Sequence, residues 1–159
     1  MEQKALARYL RLIILGIGIL GLLACFAVIP MYGLSLKSMY PEFSNRFWPW
    51  LIFLWLSAVP CFISLGFLWR VAKNIGLDRS FSSENAGYLK RVSQLFAVDS
   101  AFFFLGNASL LLLNMSHPGV MLASLAIVFV GISASVAAAV LSRLALKASD
   151  LQEQSDLTV

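Results

Sequence analysis

Asp99 is the residue of this chain best placed to do unusual chemistry. It stands inside a long apolar run, about seven residues past its basic edge and so roughly 10 Å deep at helical rise. An ionised carboxylate at such depth in a bilayer costs about 2.5–3.5 kcal/mol on insertion scales, so it needs a proton, a partner or water. Two roles are open: a proton or cation site, and a structural pair that fixes helix register. Arg143, Arg70 or Arg11 could reach it from one face, and Ser57, Ser64 or Ser135 from neighbouring helices. A single acid with no second acid or histidine beside it makes a poor relay, which favours the structural role. Asn107 and Asn114 recur at spacings that place them, with Phe103, Gly106 and Leu110, on the Asp99 side of a helix. Asparagines at such positions act as interhelical hydrogen-bonding groups of modest strength. Both also sit in Asn-x-Ser triplets. Burial in lipid argues against glycosylation at Asn107.

Other reactive patterns fail on context. Gly16-Ile17-Gly18-Ile19-Leu20-Gly21 has the spacing of a dinucleotide-binding turn, but no strand precedes it and it lies within an apolar run. His117 is the only histidine, and no second ligand accompanies it, so no metal is expected. Cys25 and Cys61 fall within apolar runs and read as packing residues. Paired carboxylates, a nucleophile elbow and a phosphate-binding loop are all missing, so neither enzyme activity nor a cofactor is expected.

The elements that position these residues are four apolar stretches, at about 12–33, 47–69, 92–114 and 118–142. Each is long enough to cross a hydrocarbon core about 30 Å thick. Sixty per cent of the 159 residues are hydrophobic and 13% are charged, and the mean hydropathy is +0.83. In lipid every backbone donor and acceptor must be satisfied within its segment, so these runs are predicted to be helices. The fold class is therefore an all-α integral membrane four-helix bundle, forming a single domain over 1–159.

Charge predicts the orientation. Lys4, Arg8, Arg11, Arg70, Lys73, Arg79, Lys90, Arg91, Arg143 and Lys147 flank the spans on one side, leaving only Lys37 and Arg46 for the other. The positive-inside rule places both termini, the 70–91 loop and the 147–159 tail of this multi-pass chain in the cytoplasm. The net charge of +4 is then a topology signal rather than a nucleic-acid footprint. Tyr32, Tyr40, Trp48 and Trp50 form the outer aromatic belt, and Tyr9 and Trp69 the inner one. Leu22-Leu23-Ala24-Cys25 resembles a lipoprotein processing site, but the apolar run continues past it, so an uncleaved first helix is expected.

Between the second and third spans, Gly76 is predicted to end a helix in the left-handed conformation. Ser82 or Ser83 then caps the third helix, with Glu84 near its positive end. Pro60 should kink the second helix, and Pro118 suits the first turn of the fourth. Gly131, Ser135 and Ala139 form a small-residue ridge that fits packing within one chain as well as dimerisation, so a homodimer is possible. The fourth helix should overshoot the bilayer, carrying Leu144, Ala148 and Leu151 on one face.

Two cytoplasmic segments carry a resemblance. Phe81-Ser82-Ser83-Glu84-Asn85-x-x-x-Leu89-Lys90, and the tail Leu151-Gln152-Glu153-Gln154-Ser155-Asp156-Leu157-Thr158-Val159, resemble the bacterial membrane-protein family called domain of unknown function 2975. That family has four predicted helices, an F-S-x-E-N stretch in its middle loop and a tail close to L-x-E-E-x-D-L-T-V/I. Gln154 replaces a common acid, so this tail is less acidic than the pattern. The resemblance implies no reaction. Its members are often encoded beside small helix-turn-helix regulators, which implies a membrane partner for such a DNA-binding protein. The residues expected to form that interface are Phe81, Ser82, Glu84, Asn85, Glu153, Asp156 and Leu157. The alternative is a small transporter, or an immunity protein against a membrane-active peptide, built on Asp99 and Asn107.

Overall fold

The structure is a computed structural model that describes residues 3–156; for residues 42, 43 and 156 it describes the backbone alone. Every regular element is helical: α1 (Gln3–Leu23), a π-helical turn (Ala24–Val28), α2 (Ile29–Met39), a 3₁₀ segment (Pro41–Arg46), α3 (Phe47–Ile75), α4 (Ser83–Leu112) and α5 (Pro118–Asp156). The first rod, Gln3–Met39, together with α3, α4 and α5, gives four helices long and apolar enough to cross a membrane. Each is longer than the apolar stretch that predicts it. The 39 residues of α5 extend about 58 Å at 1.5 Å per residue, nearly twice the hydrocarbon core.

The four rods are arranged in a row. Among the described residues, the α1–α2 rod packs on α3, α3 on α4, and α4 on α5, with no other close approach between long helices. The bundle is thus open between its first and last members. Its core is mixed, with Ile14, Leu51 and Val92 buried alongside many small polar residues. Ser57, Ser64, Ser100, Asn107, Ser124, Ser135 and Ser142 are buried along the seams, while Phe26, Phe129 and Leu112 point outward. Lipid does not drive apolar side chains inward, so small residues and hydrogen bonds hold such seams together.

The α4–α5 seam follows this rule. Ser142 Oγ donates to the Ala86 carbonyl (2.7 Å), and Ser135 Oγ to the Ser93 carbonyl (2.8 Å). At Gly131 a side chain would run into Ser100 Oγ. The small-residue ridge therefore serves packing within the chain. Its buried residues are Ser135, Ala138 and Ser142, with Gly131 and Ala139 half-buried beside them. At the α3–α4 seam the Phe53 ring lies over Gly106, between Phe102 (5.4 Å between centroids) and Phe103 (5.6 Å).

The π-helical turn has an identifiable cause. The Ile29 N–H reaches back five residues to the Ala24 carbonyl. The next residue in that register, Pro30, has no N–H to offer the Cys25 carbonyl. The Trp55 indole N–H of α3 takes that carbonyl instead (3.0 Å), and its ring packs against Phe26 (5.7 Å). Trp55→Phe would leave the carbonyl unmet at membrane depth. It is expected to lower stability by about 1–2 kcal/mol, read from unfolding in mixed sodium dodecyl sulfate and dodecyl maltoside micelles. An unchanged midpoint would mean that the carbonyl has found another partner.

Candidate functional site

One end of the row gathers the start of α1, the α3–α4 connection and the final third of α5, and with them most of the basic residues. The connection is built by backbone chemistry first. Arg79 N–H bonds to the Asn74 carbonyl (3.0 Å) and Asp78 N–H to that of Ile75 (3.2 Å), the paired bonds that close a helix over a left-handed residue. That residue is Asp78, with φ of 59°, and not Gly76, whose φ is −67°. Gly76 serves close approach instead: a Cβ there would lie 3.2 Å from the Ala7 Cβ of α1. Aspartate tolerates the left-handed region because its short side chain can bond locally.

Ser82 then caps α4, its Oγ accepting from the Asn85 N–H (3.2 Å). Asn85 is 1% exposed and uses its whole side chain. Its Nδ2 donates to the Arg79 carbonyl (3.0 Å) and the Ser80 carbonyl (3.1 Å), while its Oδ1 accepts from Asn74 Nδ2 (2.9 Å). Glu84 accepts from Asn74 Nδ2 (3.3 Å) and Tyr88 Oη (2.7 Å). Ser80 meets the Gln3 amide at 2.9 Å, and the Gln3 nitrogen is best oriented toward Ser80, the Asp78 carboxylate and the Ile75 carbonyl. A polar knot thus ties α1, α3 and α4 together. Next to it, the Arg70 guanidinium lies 5.6 Å from the Tyr88 ring and that of Arg91 lies 5.5 Å from Phe67, which holds both cations at the ring faces.

The expected interface residues therefore separate into two groups. Ser82 and Asn85 shape the connection, and Glu84 braces it. Phe81 is 62% exposed at its tip, beside exposed Leu77. Glu153 is exposed on the last turns of α5. Asp156 ends that helix, with its side chain outside the described residues, as is the whole of Leu157. Antiparallel packing sets Ala86 against Ser142, so α4 begins opposite Ala145, and the last ten or so residues of α5 run about 15 Å further.

Asp99 lies at the α3–α4 seam. Its carboxylate accepts from Ser57 Oγ (3.1 Å) and Cys61 Sγ (3.6 Å), one turn apart on α3. Ser57 was among the partners expected from sequence. Two of the expected arginines are otherwise engaged: Arg11 lies over the Trp69 ring and Arg70 over Tyr88. Cys61, read as a packing residue, is a donor. No group of three metal-ligating side chains exists among the described residues. The arrangement is a two-point tie between helices. Asp99→Asn keeps the size and an acceptor toward Ser57, and it removes the ionisable group. Its stability is expected to be unchanged or higher by up to about 2 kcal/mol in the same micelle assay. A clear loss would mean that a charge at this position contributes to the fold.

The expected asparagine stripe is not continuous. Asn107 Nδ2 turns back to the Phe103 carbonyl of its own helix (2.9 Å). Asn114 lies past the end of α4, with φ of 54°, and closes that helix: Met115 N–H bonds to the Leu110 carbonyl (2.8 Å).

Sequence comparison bears on the same segments. The family described as "Protein of unknown function (DUF2975)" matches residues 32–159. The chain belongs to this family. Both motif segments, 81–90 and 151–159, lie within the matched stretch. The chain is also similar to the "Uncharacterized membrane protein YoaS" of Bacillus subtilis (strain 168), with 27% identity over 150 residues, which covers 93% of this chain and 92% of that one. No solved structure matches. The relative's description agrees with the four apolar rods in making this a multi-pass membrane protein, and neither family nor relative carries an assigned activity.

Sequence reasoning missed the roles of Asn74 and Trp55. Asn74 follows a basic helix end and precedes a turn, where a short amide often bonds locally. Trp55 could have been sought once Pro30 was seen inside a span, since a proline there leaves a carbonyl to satisfy.

Proposed function

We propose that this is a non-enzymatic protein of the bacterial inner membrane, both termini cytoplasmic, that binds a small helix-turn-helix transcription regulator and holds it at the membrane. The observation that carries the reading is the division of labour at the basic end. A tied polar knot fixes the α3–α4 connection, while Leu77 and Phe81 at its tip, and Leu151, Asp150 and Glu153 on the projecting part of α5, remain exposed. Apolar side chains beyond the membrane, held on a rigid base and set among acids, suit a protein partner with a mixed apolar and basic surface. The described residues of the family resemblance fall on this end, and the neighbourhood of regulator genes implied by that resemblance supplies the partner class.

The test is recovery of helix-turn-helix proteins from cell extract by the detergent-purified full chain. The full chain is expected to retain such a regulator, and truncation after Ala148 or Phe81→Asp to reduce recovery at least about tenfold, as loss of a central anchor does. Equal recovery by all three chains would overturn the proposal.

A second reading, a small transporter or an immunity protein, draws on the opposite end. There a cavity of about 570 Å³ is lined by Lys37, Tyr40, Arg46, Trp50 and His117, among others. Aromatic walls with a few cations suit an amphipathic or anionic ligand. Retention of full protection or transport by Trp50→Ala would dispose of this reading.

A further inference from the structure

We propose that the cleft between the start of α1 and the end of α3 binds an anionic phosphate group, presented as the headgroup of an acidic phospholipid. Lys4, Arg8 and Arg11 follow one another at spacings of four and three, which places them on one face of α1. All three line a cleft of about 310 Å³ whose far wall is Trp69 of α3, and no carboxylate lines it among the described residues. Three cations gathered without an acid repel one another, and the low dielectric at a membrane surface sharpens that repulsion. An anion in the cleft removes it.

Arg11 gives the independent sign. Its guanidinium carbon lies 5.9 Å from the Trp69 ring centroid, so the side chain is held over the aromatic face. Its Nε is buried and has no hydrogen-bond partner. Buried donors are almost always satisfied, so an enclosed and unpaired Nε shows a guanidinium that has no fixed partner here and is free to turn toward an anion entering the cleft. Arginine pairs naturally with phosphate oxygens through two parallel N–H donors.

The walls select the source of that phosphate. One turn deeper, Leu12 and Leu15 line the same cleft, and both are more than half exposed. A charged mouth continuous with an apolar wall fits a headgroup with its acyl chain, whereas a free anion has no use for the wall. Trp69 sits at the depth where indoles mark the interface. The membrane leaflet on the basic end would then be tied to α1 by a lipid that also bridges it to α3.

The test uses the full chain in dodecyl maltoside, with lipid retention followed by native mass spectrometry during titration. The arms are phosphatidylglycerol, phosphatidylcholine and inorganic phosphate. One phosphatidylglycerol per chain is expected to bind at least about tenfold more tightly than phosphatidylcholine. Arg8→Gln and Arg11→Gln are each expected to weaken it about fivefold, and the double variant about 25-fold, while Arg143→Gln, a basic-end cation outside the cleft, changes it less than about twofold. Arg8 is exposed, so Arg8→Gln keeps the test open if Arg11→Gln fails to fold. Lipid that millimolar phosphate does not displace identifies the headgroup as the ligand. Displacement by phosphate at that level identifies the free anion and overturns the lipid assignment. Unaltered lipid binding in the double variant, or an equal loss in Arg143→Gln, overturns the site itself.

Discussion

Asn85→Ala is expected to destabilise the protein by about 3 kcal/mol and to open the α3–α4 connection to protease. The side chain makes three hydrogen bonds and is almost wholly enclosed. A net contribution of about 1 kcal/mol for each bond sets the scale, and the unmet Arg79 and Ser80 carbonyls add to it. Alanine removes all three bonds at once and leaves the Asn74 amide with Glu84 alone. Asn85→Asp separates the effects: the carboxylate can still accept from Asn74 but sets an oxygen against the two carbonyls in an enclosed site, so a loss at least as large as for alanine is expected. The midpoint of unfolding in mixed micelles and the rate of proteolytic cutting between Leu77 and Ser82 would measure both. If Asn85→Ala left the two readouts unchanged while abolishing regulator recovery, the residue would be a contact residue and not a structural tie.

Gly106→Val is the second large effect, expected at about 2–3 kcal/mol, the usual range for overpacking. A side chain at this position meets the Phe53 ring, which is hemmed in by Phe102 and Phe103. Replacing glycine within a helix recovers only a few tenths of a kcal/mol for valine, so the clash decides the sign. Combining it with Phe53→Ala should recover part of the loss, because the pair shares one space and their effects should not add. Strict additivity would show that Gly106 matters for some reason other than the ring.

The class of fold was legible because twenty-residue apolar runs have one solution in lipid. The Ser82 cap and the Pro118 helix start were legible because each rests on neighbours in the chain. Ser57 appeared among the partners of Asp99 because a buried acid narrows the choice to a few polar groups. What was hidden depended on how helices meet. Asn74 and Asn85 find each other only after the intervening turn has closed over Asp78, and nothing in the letters prefers Asp78 to Gly76 for that role. The π-helical turn needs Pro30 to free a carbonyl and Trp55 to accept the consequence from another helix. The order of the rods was hidden as well, since lipid-facing and partner-facing sides are both apolar and periodicity cannot tell them apart.

An arrangement in which each rod leans only on its predecessor has a consequence for biogenesis. Every segment can dock as soon as it leaves the insertion machinery, without waiting for a distant part of the chain, and contacts between near neighbours in sequence form quickly. Quasi-linear architectures of this kind lose a terminal unit without collapse of the rest. The first rod lies mostly ahead of residue 32, where the family match begins. The three that follow form the portion whose assembly could proceed in its absence.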